Sequence, residues 1–365
     1  MKKIYIVSPT SSITGRTRLY KLAQILTENN YEICHYGWKR ADTDILIESK
    51  KLNIIESSYI LKGGGYGGIK NKLYYLLWIP AVFFRLLFLK KSTIWVLGLE
   101  TAFPAVLASM FRGHDIVFDD ADRMVQLFNF NLPVRLILEL LERFTSKKSK
   151  SHIIPSKERY NYFTSKMLEV KNLPTRNNVS KANGLSIDIS ILERINKKVV
   201  VYANGWLGET RGANFIGQLL DEIDKDNLDI ILLIAGRVDS EQLKARLNNK
   251  NIIYLEELKY EDALKYYRVS DYILTLYDPK IEINRYAESN KWGDALAFHV
   301  TPVINRDVIT AKFLKEIAIF VDYDNCNSFV NYLKAHPLKN KSSQEFEDII
   351  KTLIPFESGI LKALL

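Results

Sequence analysis

The feature that most constrains this chain is a short apolar run followed by a helical pattern, repeated along its length. Residues 4–7 read as a buried strand; Leu19, Leu22, Ala23, Ile25 and Leu26 then recur at helical spacing. Asn29-Asn30 closes that helix before a second strand over 31–35. Strand, helix and strand within about 30 residues form a βαβ unit, from which parallel sheets are built. The pattern returns at 93–97, at a helix near 104–111, and at 116–118 and 151–154. After residue 198 it returns at 199–202, 230–235, 252–255, 272–276 and 301–304. This alternation predicts an α/β protein with two doubly wound, Rossmann-like domains.

The weakest stretch, 172–197, reads as the linker, so the domains are expected over 1–175 and 176–345. An amphipathic helix is expected over 346–365. At 365 residues the chain suits two domains of about 150–200 residues each. Cys34 and Cys326 are the only cysteines, which excludes a Cys-rich zinc site and points to a reducing compartment. The apolar run at 4–7 is too short for a signal-peptide core, so a cytoplasmic location is expected.

The charge is unevenly divided. Residues 1–180 hold 27 Lys/Arg against 15 Asp/Glu, or +12; residues 181–365 hold 24 against 27, or −3, and the two sum to the net +9. A basic first half suits a polyanion. No helix-turn-helix, zinc finger or aromatic RNA-binding motif is present, which argues against nucleic acid. The segment 73–89 (LYYLLWIPAVFFRLLFL) contains one charge, Arg85, and one proline, Pro80. Lys70 and Lys72 precede it, and Lys90 and Lys91 follow. It is short for a spanning helix. Two readings stay open: a buried core helix, or a helix in an anionic membrane interface over residues 70–91.

Ligands of open parallel sheets bind beyond the carboxyl ends of the strands, and several loops there are unusual. Asn204-Gly205-Trp206-Leu207-Gly208-Glu209-Thr210-Arg211-Gly212 offers backbone that a phosphate can approach and an arginine to clamp it. Gly236-Arg237 ends the next strand, and Tyr277 leads towards Arg285. Lys291 and Asp294 are three apart and share one helix face, placing a cation for a diphosphate beside an acceptor for ribose hydroxyls. An ordinary strand–helix turn and a surface ion pair are the plain alternatives for these two features. No Walker loop or Gly-x-Ser-x-Gly appears, so P-loop kinase and hydrolase readings lack support.

Asn290-Lys291-Trp292-Gly293-Asp294-Ala295-Leu296-Ala297, followed by Pro302-Val303-Ile304, resembles the donor-binding region of GT-B glycosyltransferases, particularly the retaining family 4. Gly205, Leu207, Arg211 and Gly212 resemble that family's phosphate loop, and residues 151–156 resemble the strand and turn closing its N-terminal domain. The resemblance implies two domains facing a cleft, with the last helix crossing back to the first. It implies a UDP- or GDP-sugar donor as co-substrate, with no metal and no cofactor. Donor contacts would fall to Asn204, Gly205, Arg211, Gly236, Arg237, Tyr277, Arg285, Asn290, Lys291 and Asp294. The chain departs from the family at Trp206, where an arginine is usual, and at Asp294, where a glutamate is usual. The first carboxylate of the family's glutamate pair is off register at Glu282 or Glu288. These departures leave inversion open beside retention.

On the acceptor side, one strand ends at Glu100 and the next at Asp119-Asp120-Ala121-Asp122-Arg123. A carboxylate among Glu100, Asp119, Asp120 and Asp122 is expected either to act as general base or to orient the acceptor. Gly15, Arg16, Arg18 and Arg123 are expected to hold the acceptor, and the glycine-rich run at 63–68 to form a mobile flap. The resulting expectation is a hexosyltransferase of bacterial surface glycan synthesis (O-antigen, capsule or exopolysaccharide). It would act on a lipid-linked oligosaccharide at the inner face of the plasma membrane. A nucleotide-sugar epimerase on the same fold, or a non-catalytic membrane-associated glycan-binding subunit, are the alternatives.

Overall fold

The computed structural model describes residues 2–44, 51–66, 68–128, 130–336 and 343–365, without the side chains of Ile69 and Lys72. The contacts divide the chain into one unit of Met1–Val170 with Ile354–Leu365 and a second of Lys171–Leu353.

The first unit is built on a seven-stranded sheet: β1 (Lys2–Val7), β2 (Tyr31–Lys39), β3 (Ile54–Lys62), β4 (Thr93–Leu97), β5 (Asp115–Asp119), β6 (Ser151–Ile154) and β7 (Met167–Glu169). The order is β3-β2-β1-β4-β5-β6-β7, with every pairing parallel. Alternate side chains pack to opposite faces. Ile4, Ile6, Ile33, Trp95 and Val117 meet the apolar stripe of α1 (Thr17–Glu28). Tyr5, Val7, Tyr36, Val96 and Phe118 meet Trp78, Val82 and Leu86 of α2 (Gly68–Leu87) and Ala102, Ala105 and Val106 of α3 (Leu99–Arg112). A short helix α4 (Met124–Leu127) and a longer α5 (Leu132–Lys148) follow.

The segment 73–89 is thus half core and half surface. Leu73, Leu76, Leu77, Phe84 and Phe88 face outward, between 52% and 78% exposed. Helix α5 is inverted: Glu142, Thr145 and Ser146 point inward, while Leu132, Leu136, Ile137 and Leu140 are exposed. No helix among the described residues is long and apolar enough to cross a membrane.

The second unit has six parallel strands in the order β10-β9-β8-β11-β12-β13. They are β8 (Val199–Asn204), β9 (Ile230–Ala235), β10 (Ile252–Tyr254), β11 (Tyr272–Thr275), β12 (Thr301–Asn305) and β13 (Ile319–Val321). Here α6 (Arg176–Gly184) and α7 (Ile189–Ile195) occupy the expected linker and bury Ala182 and Ile195 in a core. Thr175 and Asn178 start α6 with a reciprocal capping box. Helix α8 (Ala213–Asp226) covers one face of the sheet. The short helices α9 (Glu241–Lys244), α10 (Tyr260–Lys265) and α11 (Glu282–Arg285) lead to α12 (Asn290–Ala297). Helix α13 (Asn327–Ala335) packs beside α8.

The single helix expected over 346–365 is two. Helix α14 (Ser343–Thr352) seats Phe346 in the core of the second unit. Pro355, which has no N–H to continue a helix, precedes α15 (Phe356–Leu364). Helix α15 lays Phe356, Ile360 and Ala363 on α1 in the first unit.

Candidate active site

Both sheets reverse their strand order beside their first strand, between β8 and β11 in the second unit and between β1 and β4 in the first. The carboxyl ends of those strands are where each doubly wound sheet offers a site.

In the second unit, the loops after β8 and β9 touch backbone to backbone. A side chain on Gly236, whose φ is 112°, would come 2.2 Å from the carbonyl oxygen of Gly205. Next to this crossing stands Lys291, in the first turn of α12, with its ammonium packed against Gly205. Ser289 caps the helix, and buried Trp292 ties it to β11 by donating from Nε1 to Thr275 Oγ1 at 2.9 Å. Arg211 donates to Asn284 Oδ1 at 2.7 Å and lies over the rings of Tyr277 (4.9 Å) and Trp206 (5.6 Å).

Among the described residues neither Lys291 nor Arg211 has a carboxylate within ion-pair distance. Burial first, and the Arg211 charge second, push the Lys291 pKa down to about 8, with Asp294 acting the other way. Two neighbouring cations held without an ion-pair partner leave a local positive charge at this end of the sheet. Two buried amide oxygens, Asn204 Oδ1 and Asn290 Oδ1, also have no hydrogen-bond partner among the described residues.

The remaining donor-site expectations separate. Asp294 is buried and accepts from the Tyr260 hydroxyl at 2.7 Å, so it braces α12 and biases Lys291 by its charge. Arg237 is exposed and paired with Asp239 at 2.7 Å, and Arg285 is exposed at the end of α11. Asn284, one residue before Arg285, is the side chain that reaches Arg211. Trp206 is held by its Nε1 donating to Asp239 at 2.6 Å. Glu288 forms a buried pair with Lys171 at 3.2 Å.

In the first unit, the clustered acids point in different directions. Asp119 is buried in a bidentate pair with Arg18 (2.7 and 2.9 Å to Oδ1) and accepts from Trp95 Nε1 at 3.2 Å. Arg123 is likewise buried against Glu142, at 2.8 Å, and donates to the Arg159 carbonyl at 2.6 Å. Asp119, Arg18 and Arg123, expected in catalytic and acceptor roles, are thus each engaged in a buried ion pair within the first unit. Asp120 is buried under Tyr160, whose hydroxyl donates to Oδ2 at 2.6 Å, with His152 Nε2 at 3.9 Å. Burial would raise the Asp120 pKa, but the nearby His152 ring, the Tyr160 hydrogen bond and the Arg123 charge hold it below the usual value. Asp122 is half exposed and meets Arg16 at 3.6 Å.

That leaves Glu100, at the start of α3 beyond the end of β4, half-buried and without an ion-pair partner among the described residues. Burial, with the charge of Asp120 adding to it, pushes its pKa up to about 7; its own backbone N–H, Arg16 and Arg40 act against the rise. A carboxyl so poised exchanges a proton near neutrality.

Beside it, the loop after β1 borders a cavity of about 360 Å3 lined by Gly15, Arg16, Arg40 and Tyr66 among others. The glycine-rich run at 63–68 does not behave as a free flap where it is described. Gly63 and Gly65 donate to the Lys39 and Arg40 carbonyls, and Trp38 donates to the Gly63 carbonyl. Gly67 lies outside the described residues. No cluster of three or more His, Cys, Asp or Glu side chains among the described residues is placed to hold a metal ion.

No protein-family model matches the chain, and no curated protein sequence does. Solved structures match over nearly its whole length. Sucrose-phosphate synthase from Thermosynechococcus elongatus aligns with a TM-score of 0.64 at 11% identity, covering 99% of this chain and 97% of that one. A structure described as trehalose-6-phosphate from E. coli bound with UDP-2-fluoro glucose aligns at 0.66 and 11% identity, covering 99% and 96%. The chain has the GT-B fold. A UDP-N-acetylglucosamine 2-epimerase shares it, at 0.58 and 13% identity over 100% and 95% of the two chains. At such identities the likeness concerns the GT-B architecture alone.

Proposed function

We propose that the chain is a glycosyltransferase that moves a hexose from a UDP- or GDP-sugar to an acceptor hydroxyl. The observation that carries this reading is the pair Lys291 and Arg211, two adjacent cations without a carboxylate partner among the described residues, at the switch point of the second sheet. The diphosphate of the donor supplies the missing counter-charge. In the reaction the sugar–oxygen bond to the diphosphate breaks, and the same two side chains take the charge that develops on the leaving oxygen. No metal is assigned to this step. Asn204 and Asn290 offer their unpartnered amide oxygens to hydroxyl groups of the donor, and Tyr277 stands beside Arg211 at the nucleotide. Glu100 is the carboxyl that accepts the proton of the attacking hydroxyl, or orients that hydroxyl where the anomeric configuration is retained as in family 4.

The acceptor is proposed to be a lipid-linked oligosaccharide of bacterial surface glycan synthesis, met at the cytoplasmic face of the plasma membrane. The outward apolar rows of α2 and α5 support this, together with exposed Lys70, Lys90, Lys91 and Arg112 near them. Each such cation contributes about 1 kcal/mol at an anionic surface. Co-sedimentation with phosphatidylglycerol vesicles, lost in Leu136→Gln/Leu140→Gln, tests this part.

The donor reading is tested by thermal shift against UDP, GDP, ADP and CDP, in the native chain and in Lys291→Ala. A shift with one nucleotide, lost in the variant, supports it. Conversion of UDP-N-acetylglucosamine without any acceptor would favour an epimerase, and the absence of any nucleotide shift would favour a non-catalytic subunit.

A further inference from the structure

Arg40 decides the chemistry of the cavity in the first unit. Its guanidinium sits in an aromatic cradle, 4.2 Å from the Trp38 ring centroid, 5.1 Å from Tyr75 and 5.7 Å from Tyr66. It donates to the Pro9 carbonyl at 3.1 Å, the Tyr75 hydroxyl at 2.9 Å and Asn71 Oδ1 at 3.4 Å, all of them neutral. The acid on the same loop, Asp44, accepts instead from the backbone N–H groups of Arg40 and Ala41 and from the Tyr66 hydroxyl. Among the described residues no carboxylate reaches the guanidinium. The orientation of Arg40 is therefore fixed while its charge is uncompensated.

The rest of the cavity has the same sign. Arg16 lines it and meets only the half-exposed Asp122, at 3.6 Å. Helix α1 follows Arg16 as its N-cap residue, with no side-chain cap bond and no acid in its first turn, so its partial positive end adds to both arginines. The wall is already built: the Thr10 carbonyl accepts from the Trp38 N–H at 3.0 Å, and Thr10 Oγ1 lies 2.7 Å from Ser8 Oγ. A prebuilt wall lowers the ordering cost of binding. Phosphate oxygens match two guanidinium groups better than any neutral hydroxyl does.

Building on the transferase reading, we propose that this cavity binds a phosphate group of the acceptor, with Arg40 and Arg16 as its two clamps. The acceptor is then a phosphorylated sugar, either free or carried on a lipid diphosphate, and not a neutral glycan.

The test uses the full chain carrying Lys291→Ala and Arg211→Gln, so that neither donor-site cation remains and phosphate binding reports on the first unit. Calorimetric titration with inorganic pyrophosphate should give saturable binding, weakened at least tenfold by Arg40→Gln and also weakened by Arg16→Gln. Arg40→Gln removes the guanidinium and with it the donors to Pro9 and Tyr75, so thermal unfolding checks that it folds; if it does not, the more exposed Arg16→Gln carries the test. Equal binding in the arginine variants and their parent, or no binding to the parent, overturns the proposal. Displacement of pyrophosphate by glucose 6-phosphate assigns a free sugar phosphate. Displacement only by phosphatidylcholine vesicles containing polyprenyl diphosphate assigns the lipid carrier, and displacement by neither overturns the acceptor assignment. Failure of the donor reading appears separately, as a native chain that no nucleotide stabilises.

Discussion

Replacing Lys291 by methionine should stabilise the protein at neutral pH while removing its nucleotide binding. The lysine pKa is pushed from 10.5 down to about 8, by burial and then by Arg211. A folded-state value below the unfolded one means that the fold disfavours the ammonium. At pH 7 both states hold the proton, and the folded state bears the whole penalty. Between pH 8 and 10.5 the folded chain has released a proton that the unfolded chain keeps, so stability rises with pH across that window. Above 10.5 the penalty is gone. At about 1.4 kcal/mol per pH unit, the displacement amounts to ~3 kcal/mol. Methionine keeps the unbranched stem that packs against Gly205 and omits the charge. Urea unfolding of both chains should place the variant about 2–3 kcal/mol above the native chain at pH 7, with the gap closing by pH 10.5. Saturating nucleotide should reverse the order at pH 7, because only the native chain gains the ligand's counter-charge. A variant less stable at pH 7, or a gap that stays constant up to pH 10.5, would refute the argument that this cation is held for an anion.

Glu100→Gln should lower transfer by about 10²–10⁴-fold with nucleotide affinity unchanged. Native transfer should rise with pH through about 7, where the carboxyl loses its proton, and an identical pH profile in the variant contradicts that role. Asp119→Asn should destabilise the first unit by about 3–5 kcal/mol, because it leaves Arg18 buried without its charge partner; urea midpoints read this, and a neutral result rejects the bracing role. Gly293→Ala places a methyl 2.4 Å from the carbonyl oxygen of Asn172, so α12 must shift at a cost of about 1–3 kcal/mol. Both melting temperature and nucleotide affinity should fall; unchanged values would show that the contact relaxes freely.

Most of the strands that periodicity reveals are buried on both faces. All six residues of β9 (IILLIA) are buried, as are the last four of β1. What periodicity misses is held by something other than apolar area. Edge strand β3 reads IIESSYILK and is half exposed, and β7 and β13 have three residues each. Helix α6 (RNNVSKANG) buries only Asn178 and Ala182, so its start depends on the Thr175 cap and no apolar stripe marks it. The break before α15 was legible in Pro355, which an amphipathic reading of 346–365 passes over.

The candidate site separates along the same physical line. Lys291, Gly205 and Arg211 are readable because loops at strand ends carry them and each stands in a local motif. The three aspartates at 119, 120 and 122 are equally local, yet each faces a different environment. Asp119 meets Arg18, a hundred and one residues away, and Asp120 meets Tyr160, forty away; Asp122 faces solvent. Adjacent strand-end residues alternate in direction, so a run of like charge in sequence need not be a cluster in space. Net charge misleads in the same way. The first half carries +12, but its most conspicuous cations, Arg18 and Arg123, are neutralised internally by Asp119 and Glu142. The near-neutral second half holds Lys291 and Arg211 uncompensated. What points to an anion site is therefore the charge left after internal pairs are formed, and that remainder is the basis on which Lys291 with Arg211, and Arg40 in the other unit, are proposed.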